Sequence, residues 1–301
     1  MSPEVLRILG EIGRQIDRNR LPLVYDGGFV LPGKSRVGTS TSGKETGNAS
    51  EPTWKAGTRQ QGSSRPWSQS RTWPRSPARS RTTGTTAPVI DPSLQEKYED
   101  ELDALGGAYP NARIWHQTNG MWLLTNSTLV SGLSKTATFL TAIPFYRQAR
   151  PKSWGFWTTP ISSKWIGPRH TNFPDGSICA FEPTDGTWNP GDSIINLLDI
   201  YSVWAVRHLH LEAFGRWPGF QSVPFAYERI TEFRDDEFCG CGNSDKLYAE
   251  CCKESDLAHN QKELRDEFWK IVGPLGLREP PKQITDFIST KSNPPHLEDL
   301  L

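Results

Sequence analysis

One stretch of the chain reads His170-Thr-Asn172-Phe-Pro-Asp175-Gly-Ser-Ile-Cys179. It holds the only cysteine that lies outside a group of four at residues 239 to 252. A single thiol flanked by a histidine, an asparagine and a glycine turn is where a nucleophile is sought. The stretch therefore contains a candidate catalytic cysteine.

A long apolar helix is predicted shortly downstream of this stretch. Pro190-Gly-Asp192 is a typical helix start, with Asp192 or Ser193 as the cap, and Gly215 is a typical stop. The residues between them are apolar on nearly all sides. A helix without a polar face belongs in the interior, so we expect a central buried helix.

The chain upstream of the stretch predicts a helix followed by strands. Residues 92 to 105 place Leu94, Tyr98, Leu102 and Leu105 on one side and acids on the other. Four strand-like segments follow, at residues 112–116, 121–125, 136–143 and 154–158, separated by glycine-rich and proline-rich turns. Short consecutive strands of this kind favour an antiparallel meander, so the predicted fold class is α+β.

The order of these elements resembles that of a ubiquitin-conjugating enzyme. Four motifs carry the resemblance, in this order: His170-Thr-Asn172, Asp175-Gly-Ser-Ile-Cys179, Trp188-Asn-Pro190 and Ile194-Ile-Asn-Leu-Leu198. They are similar to that family's His-Pro-Asn, Asn-Gly-x-Ile-Cys and Trp-x-Pro motifs and to the helix that follows them. The resemblance covers residues 92 to 222 and implies a UBC-like fold.

The resemblance also implies a role for each residue of the first two motifs. Cys179 would carry an acyl group as a thioester, since exchange of one sulfur for another is near neutral, and pass it to a lysine amine. Asn172 would donate a hydrogen bond to the carbonyl oxygen of the thioester as negative charge develops there. For His170 the resemblance implies a structural role in the local turn first and a catalytic role second. Two alternatives stay open: an imidazole and thiolate pair as in cysteine hydrolases, and an unreactive buried cysteine in an inactive relative.

Some positions depart from the pattern of that family. Thr171 replaces its proline, and the spacing from Asn172 to Cys179 is one residue shorter than in eukaryotic members. Glu182 and Asp185 are candidates, by proximity, for the acid that orients the incoming lysine. These departures resemble the bacterial branch of the fold, which occurs in antiphage defence operons built around cyclic-oligonucleotide synthases. There the carried protein is the synthase, so the resemblance implies such a partner and a ubiquitin-activating-like enzyme.

The four clustered cysteines resemble the SEC-C zinc motif, in which Cys-x-Cys and Cys-Cys pairs flank a Gly-Ser-Gly-Lys-Lys-Tyr-like stretch. Tetrahedral zinc takes four thiolates, so the resemblance implies one structural Zn²⁺. Its ligands would be Cys239, Cys241, Cys251 and Cys252. Redox sensing by the same thiols is the alternative.

His208 and His210 lie two residues apart on the predicted buried helix, so their side chains point to different sides. We expect core or partner contacts for them rather than metal ligation.

Residues 33 to 91 have the composition of a disordered basic linker. Ten Lys or Arg face only two acids between Lys34 and Pro88, and few aliphatic residues are present. Such a stretch cannot bury enough apolar area to offset its chain entropy. Arg with interspersed Trp could bind phosphate and stack on bases, but no folded reader module accompanies it, so we expect a solvated tether and no nucleic-acid partner.

The two ends of the chain are simpler to interpret. Residues 1 to 32 predict an amphipathic helix, over residues 4 to 19, and a small hairpin around Asp26-Gly-Gly28. At the other end we expect a helix over residues 257 to 272, with Leu264, Phe268, Ile271 and Val272 on one side, and a tail that lies across a partner or stays loose.

No apolar run is long enough for a membrane span and no signal-peptide block is present, so we expect a cytoplasmic protein without a membrane partner.

These observations divide the chain into five predicted parts. The N-terminal helix and hairpin (1–32) and the linker (33–91) precede a conjugating domain (92–225), a zinc motif (234–255) and a C-terminal helix and tail (256–301). The leading hypothesis is a ubiquitin-conjugating-like transferase of bacterial antiphage defence, which needs a separate activating enzyme because the chain has no adenylating domain. The alternative is a noncatalytic adaptor of the same fold that docks protein partners through the zinc motif.

Overall fold

A computed structural model describes residues 1–18, 89–133, 135–181, 187–241, 246–273, 278–290 and 293–300, and the backbone of two short strands at 23–25 and 28–30. The predicted linker, residues 33 to 91, lies outside the described residues except for its last three positions. All described residues other than Val89 belong to one compact unit. Within these ranges the fold is mixed α+β, as predicted.

A five-stranded antiparallel sheet forms the centre of this unit. Its strands follow chain order, each paired with the next: β3 (Arg113–Gln117), β4 (Gly120–Asn126), β5 (Thr136–Pro144), β6 (Lys152–Thr158) and β7 (Ser163–Trp165). The predicted meander is confirmed for the first four strands. The fifth was not predicted, because a three-residue strand is too short to show an alternating pattern. A two-stranded hairpin, β1 (Leu23–Tyr25) with β2 (Gly28–Val30), forms where one was expected.

The first face of the sheet is covered by helices. They are α1 (Pro3–Asp17), α2 (Pro92–Asp100), α3 (Leu102–Ala108), α4 (Thr128–Ser131) and α5 (Ile194–Phe214). α5 is the predicted central helix and is buried along most of its length. It packs in one core with sheet residues such as Met121, Phe139 and Ile143. This arrangement removes the apolar sides of the sheet and of α5 from water at the same time.

The two ends of α5 are fixed by different means. Ser193 is the N-cap residue, as predicted, but its own side chain does not cap the helix. Instead the backbone N–H of Ile194 donates to Oε2 of Glu101, 2.7 Å away, and the Ser193 hydroxyl donates to the same oxygen. At the other end Gly215 adopts the left-handed conformation (φ 67°) that ends many helices. The start of α5 is therefore tied to the helix pair α2 and α3.

The second face of the sheet is covered by the end of the chain, where helix α9 (Lys282–Thr290) and a 3₁₀ turn (Leu297–Asp299) lie. The sheet and the tail share one buried cluster, made of Trp122, Leu124, Leu140, Ala142, Trp154, Phe156, Ile284, Phe287, Ile288 and Leu297. The expectation that the tail lies across a partner or stays loose is therefore wrong. Strands β4 to β6 are apolar on both faces, and the second face needs a cover as much as the first.

The segment between α5 and the tail contains further helices. It contains α6 (Ala226–Glu232), a 3₁₀ turn (Tyr248–Glu250), α7 (Lys253–Ala258) and α8 (Gln261–Val272). The single helix predicted over residues 257 to 272 is thus divided, because the Asn260 side chain accepts from the N–H groups of Lys262 and Glu263 and starts a new helix. Of the residues predicted to share one side of this helix, Phe268 is buried and Ile271 is 64% exposed. None of the helices described here is long and apolar enough to cross a bilayer.

Removal of a tail side chain should test whether the tail holds the sheet. Phe287 is 2% exposed and its ring meets Trp115 edge-on, with 5.2 Å between ring centroids. Phe287→Ala should lower the free energy of unfolding by about 3–5 kcal/mol, since it empties a packed aromatic site. Ile271→Ala, at an exposed position, should change it by less than about 0.5 kcal/mol. Chemical denaturation measures both, and equal stability of the two variants would contradict the packing described.

Candidate functional site

Cys179 lies at the end of a tight turn that begins at His170. The N–H of Cys179 donates to the carbonyl of His170 (3.0 Å), and the N–H of Asn172 donates to the carbonyl of Ser177 (2.7 Å). Between these bonds Thr171 pairs with Ile178 as an isolated antiparallel bridge. The structure therefore brings together all three residues predicted for a catalytic site, and it leaves the side chain of Cys179 partly exposed.

Gly176 makes the close turn possible. Its φ of +63° is a left-handed conformation that side chains disfavour, and a Cβ atom at this position would lie 2.8 Å from the backbone of Glu279. The segment that follows α8 thus passes directly against the turn. Arg278 in this segment stacks its guanidinium 3.9 Å from the ring centroid of Phe173 and donates to the carbonyl of Pro168.

The side-chain amide of Asn172 lies against the backbone that leads into Cys179. Its Nδ2 donates to the carbonyl of Ile178 and to Oγ of Ser177, each at 3.2 Å. The hydroxyl of Ser177 in turn donates to Asp175 (2.7 Å). Both amide contacts are at the long end of the hydrogen-bond range, so the amide is oriented by the turn without being held by strong bonds.

His170 supports the turn from inside. Its backbone carbonyl accepts from the N–H of Cys179 and from the indole N–H of Trp204 (2.9 Å). Its Nε2 donates to Oε1 of Gln221 (3.0 Å), and its ring lies 4.3 Å from that of Trp217. Burial, followed by the nearby guanidinium of Arg169, lowers the pKa of His170 well below its ordinary value. The imidazole is therefore neutral, which suits the structural role that the resemblance implies for His170.

A buried ion pair holds the residue before His170. The guanidinium of Arg169 binds both carboxylate oxygens of Glu237, and the two residues are 5% and 0% exposed. Arg169 also donates to the carbonyl of Glu232 (3.1 Å) and to Oε1 of Gln221 (2.9 Å). These polar partners lie 52 to 68 residues away in the chain and were not predicted from the sequence. A charged residue next to a motif is the only sequence signal that could have pointed to the pair.

The four clustered cysteines converge a short distance beyond Glu237. Their sulfur atoms all lie within 4.8 Å of one another, so the group could hold a metal ion. The sulfurs of Cys241 and Cys251 are 3.6 Å apart and those of Cys251 and Cys252 are 3.7 Å apart. A tetrahedral ion with metal–sulfur bonds of about 2.3 Å requires sulfurs about 3.8 Å apart, so the spacing fits a small divalent ion.

Local backbone structure sets this convergence. Phe238 and Leu247 form an isolated antiparallel bridge, and the N–H of Cys239 donates to the carbonyl of Lys246 (3.0 Å). The 3₁₀ turn at Tyr248–Glu250 then delivers Cys251 and Cys252 to the start of α7. Burial raises the pKa of the Cys251 thiol to about 11. The metal-free thiol is therefore protonated at neutral pH, and a metal must displace protons when it binds.

Two further sets of predicted residues have different outcomes. His208 and His210 are buried in the core, where their rings bond to the backbone carbonyls of Arg169 and Arg216, as expected of core contacts. Glu182 and Asp185, the candidate acids for lysine orientation, lie outside the described residues.

No protein-family model, curated protein or solved structure matches this chain.

The buried histidines make stability depend on pH. Burial lowers the pKa of His208 to about 3, whereas an unfolded histidine titrates near 6.5. Below pH 6.5 the unfolded chain therefore takes up a proton that the folded chain refuses, and stability falls as the pH falls. Between pH 7 and pH 5 this one histidine should account for a loss of about 2 kcal/mol in the free energy of unfolding.

His208→Gln tests this prediction. Glutamine does not titrate, and its amide can still donate to the carbonyl of Arg169. Urea denaturation at pH 7 and pH 5 should show that the variant loses about 2 kcal/mol less than the wild type on acidification. The contributions of His170 and His210 are common to both proteins and cancel. Equal losses in the two proteins would show that His208 is not held neutral in the fold.

Proposed function

We propose that this chain is a ubiquitin-conjugating-like transferase that carries a protein C-terminus as a thioester on Cys179. The observation that carries the proposal is the turn itself, where one partly exposed thiol and the oriented amide of Asn172 share a few residues of backbone. The antiparallel meander with a buried helix after the cysteine supports a UBC-like fold. The sequence motifs add the order His-x-Asn, Cys, Trp-x-Pro and helix.

The proposed reaction has two steps. In the first, the thiolate of Cys179 attacks the carbonyl carbon of a thioester on an activating enzyme; the new C–S bond forms, the old one breaks, and the enzyme's sulfur leaves as a thiolate. In the second, a lysine amine attacks the same carbon, an amide bond forms, Cys179 leaves as a thiolate, and the amine proton passes to solvent. The thioester supplies the energy of both steps, so no further reactant is needed.

Asn172 would act in the second step. As the amine attacks, negative charge develops on the carbonyl oxygen, and a fixed amide donor stabilises that charge. The Nδ2 group already lies beside the carbonyl of Ile178, next to Cys179. Its contact with Ser177 is long enough to be exchanged for one to the developing oxyanion at small cost.

We propose that the cysteine cluster holds one Zn²⁺. Four thiolates from Cys239, Cys241, Cys251 and Cys252 would complete its tetrahedral shell and leave no open position, so the ion would be structural. Zinc fits better than a redox disulfide as the resident state, because all four sulfurs converge on one point rather than forming two pairs. Redox sensing by the same thiols remains the competing assignment.

The partners follow from the chemistry. The proposed reaction requires an activating enzyme that donates the thioester, a carried protein and a lysine acceptor. In the setting that the sequence resembles, bacterial antiphage defence in the cytoplasm, the carried protein would be a cyclic-oligonucleotide synthase.

A noncatalytic adaptor is the second candidate function, and one observation favours it. Both contacts of the Asn172 amide are made within the turn, as a purely structural asparagine would make them.

Trapping of the thioester tests the transferase. When the chain is expressed in cells with the genes that lie beside it, a fraction should run on non-reducing gels as a larger adduct that thiol reductant cleaves. Cys179→Ser should convert this adduct to a reductant-resistant ester or abolish it. Mass spectrometry of the adduct would identify the carried protein. If the Cys179→Ala variant transfers the carried protein to lysine in cells as well as the wild type does, the transferase proposal is rejected and the adaptor is favoured.

Asn172→Ala separates the two steps. A residue that stabilises charge only during amine attack should leave adduct formation nearly intact and slow transfer to lysine by ~10²-fold. Asn293→Ala, at an exposed position outside the turn, is the matched control and should change neither step. If Asn172→Ala impairs both steps equally, the asparagine supports the turn and takes no part in the chemistry.

The metal assignment has its own test. Purified protein should contain one zinc per chain by elemental analysis, and Cys251→Ser should lose it together with the local order around the four cysteines, because binding and folding are coupled in such sites. Cys179→Ser is the matched control and should keep its zinc. Protein without zinc, in which all four clustered thiols react freely with an alkylating agent, would rule the assignment out.

A further inference from the structure

Gln221 contacts both the Cys179 turn and the cysteine cluster. Its Oε1 accepts from Nε2 of His170, the first residue of the turn (3.0 Å), and from the guanidinium of Arg169, the residue before it (2.9 Å). Its Nε2 donates to the backbone carbonyl of Phe238 (2.9 Å), the residue that directly precedes Cys239. One side-chain amide therefore bridges two segments that each hold candidate functional thiols.

The cluster side of this bridge depends on the fold around the four cysteines. Phe238 is paired with Leu247 across the cluster, and the N–H of Tyr248 donates to the carbonyl of Glu237 (2.7 Å). Glu237 also supplies the carboxylate that neutralises Arg169. When a four-cysteine site loses its metal, the backbone around it loses order, because metal binding and local folding are one process. Loss of metal would therefore release the acceptor for Gln221, whereas the carboxylate of Glu237 stays bound to Arg169 and to the N–H of Trp217.

The turn side of the bridge ends at the backbone of Cys179. The ring of His170 is oriented by Gln221, and the carbonyl of His170 accepts the N–H of Cys179. His170 adopts a positive φ of 51°, which a residue with a side chain holds only when its surroundings impose it. If Gln221 is released, the hydrogen bond from Cys179 to His170 should open more often. The neighbouring N–H of Ile178 is bonded instead to Ser153 in strand β6 and should be unaffected.

We propose that Gln221 is a positioning residue that couples metal binding at the four-cysteine cluster to the order of the Cys179 turn. The metal would thus do more than order the residues around the four cysteines. Through Phe238, Gln221 and His170 it would also set the position of the Cys179 thiol. That this affects acyl transfer rests on the proposed function. The coupling itself does not, since it concerns only hydrogen bonds within the chain.

Amide hydrogen exchange measured by NMR tests the coupling in the full-length protein. Removal of the metal with a chelator should accelerate exchange of the Cys179 amide roughly tenfold or more, while the amide of Ile178 and that of Leu123 in strand β4 change by less than about threefold. An unchanged Cys179 amide would overturn the proposal. Equal acceleration at all three positions would also overturn it, because the metal would then stabilise the whole fold rather than the turn.

A variant tests the route through Gln221. Gln221→Met keeps the length of the side chain and removes its hydrogen bonds. It should keep one metal per chain by elemental analysis, show fast Cys179 exchange even with metal bound, and respond little to the chelator. Gln95→Met, at a partly exposed glutamine on α2, is the matched control and should behave as wild type. A Gln221→Met protein that keeps slow exchange with metal and still responds to chelator would show that another route carries the coupling.

The alkylation rate of Cys179 is a second test of the coupling, and it requires no partner protein. The rate at which an alkylating agent modifies Cys179, followed by peptide mass spectrometry, should change several-fold in the same direction for chelated wild type and for metal-loaded Gln221→Met. Opposite changes, or a change in only one of them, would overturn the proposal. Because neither measurement involves thioester transfer, a failed transferase assay leaves these outcomes intact, and their failure leaves the transferase proposal intact.

Discussion

The buried ion pair between Arg169 and Glu237 is the interaction around which the polar interior of this protein is arranged. Both side chains are buried, and removal of one partner from such a pair costs about 3–5 kcal/mol because the remaining charge is uncompensated. The pair therefore fixes the segment before His170 against the segment before the cysteine cluster. Other groups complete it: the N–H of Trp217 donates to Glu237, and the ring of His208 bonds to the carbonyl of Arg169.

This constraint makes the cysteine cluster part of the same structure as the turn. The sequence suggested a zinc motif that begins at residue 234, after a conjugating domain that ends at residue 225. Hydrogen bonds cross this boundary, from Gln221 to Phe238 and from the N–H of Val223 to the carbonyl of Gly240. A second buried pair, Arg229 with Asp256, ties α6 to α7 beside the cluster. Polar groups so placed need every partner present, so the two thiol-bearing segments hold each other in position.

The end of the chain has a comparable effect on the opposite side. Helix α9 covers the second face of the sheet, and the segment just before it passes over Gly176 in the Cys179 turn. Lys152 on strand β6 then binds both Asp175 of the turn and the carbonyl of Leu300. The turn is thus held between the sheet, the cysteine-cluster segment and the C-terminal segment. A thiol on such a turn keeps a defined position even though its loop has little regular structure.

The sequence alone determined the local features of this protein. Periodicity and turn residues gave the first four strands of the sheet, the buried helix α5 with its stop at Gly215, and the convergence of four cysteines, because each depends on residues close together in the chain. Only the tertiary structure decided the partners of Arg169, the use of Glu101 as the cap of α5, and the docking of the tail on the sheet. Each of these joins residues that lie from dozens to more than one hundred positions apart. Their pairing depends on the path of the chain through space, and no local pattern records that path.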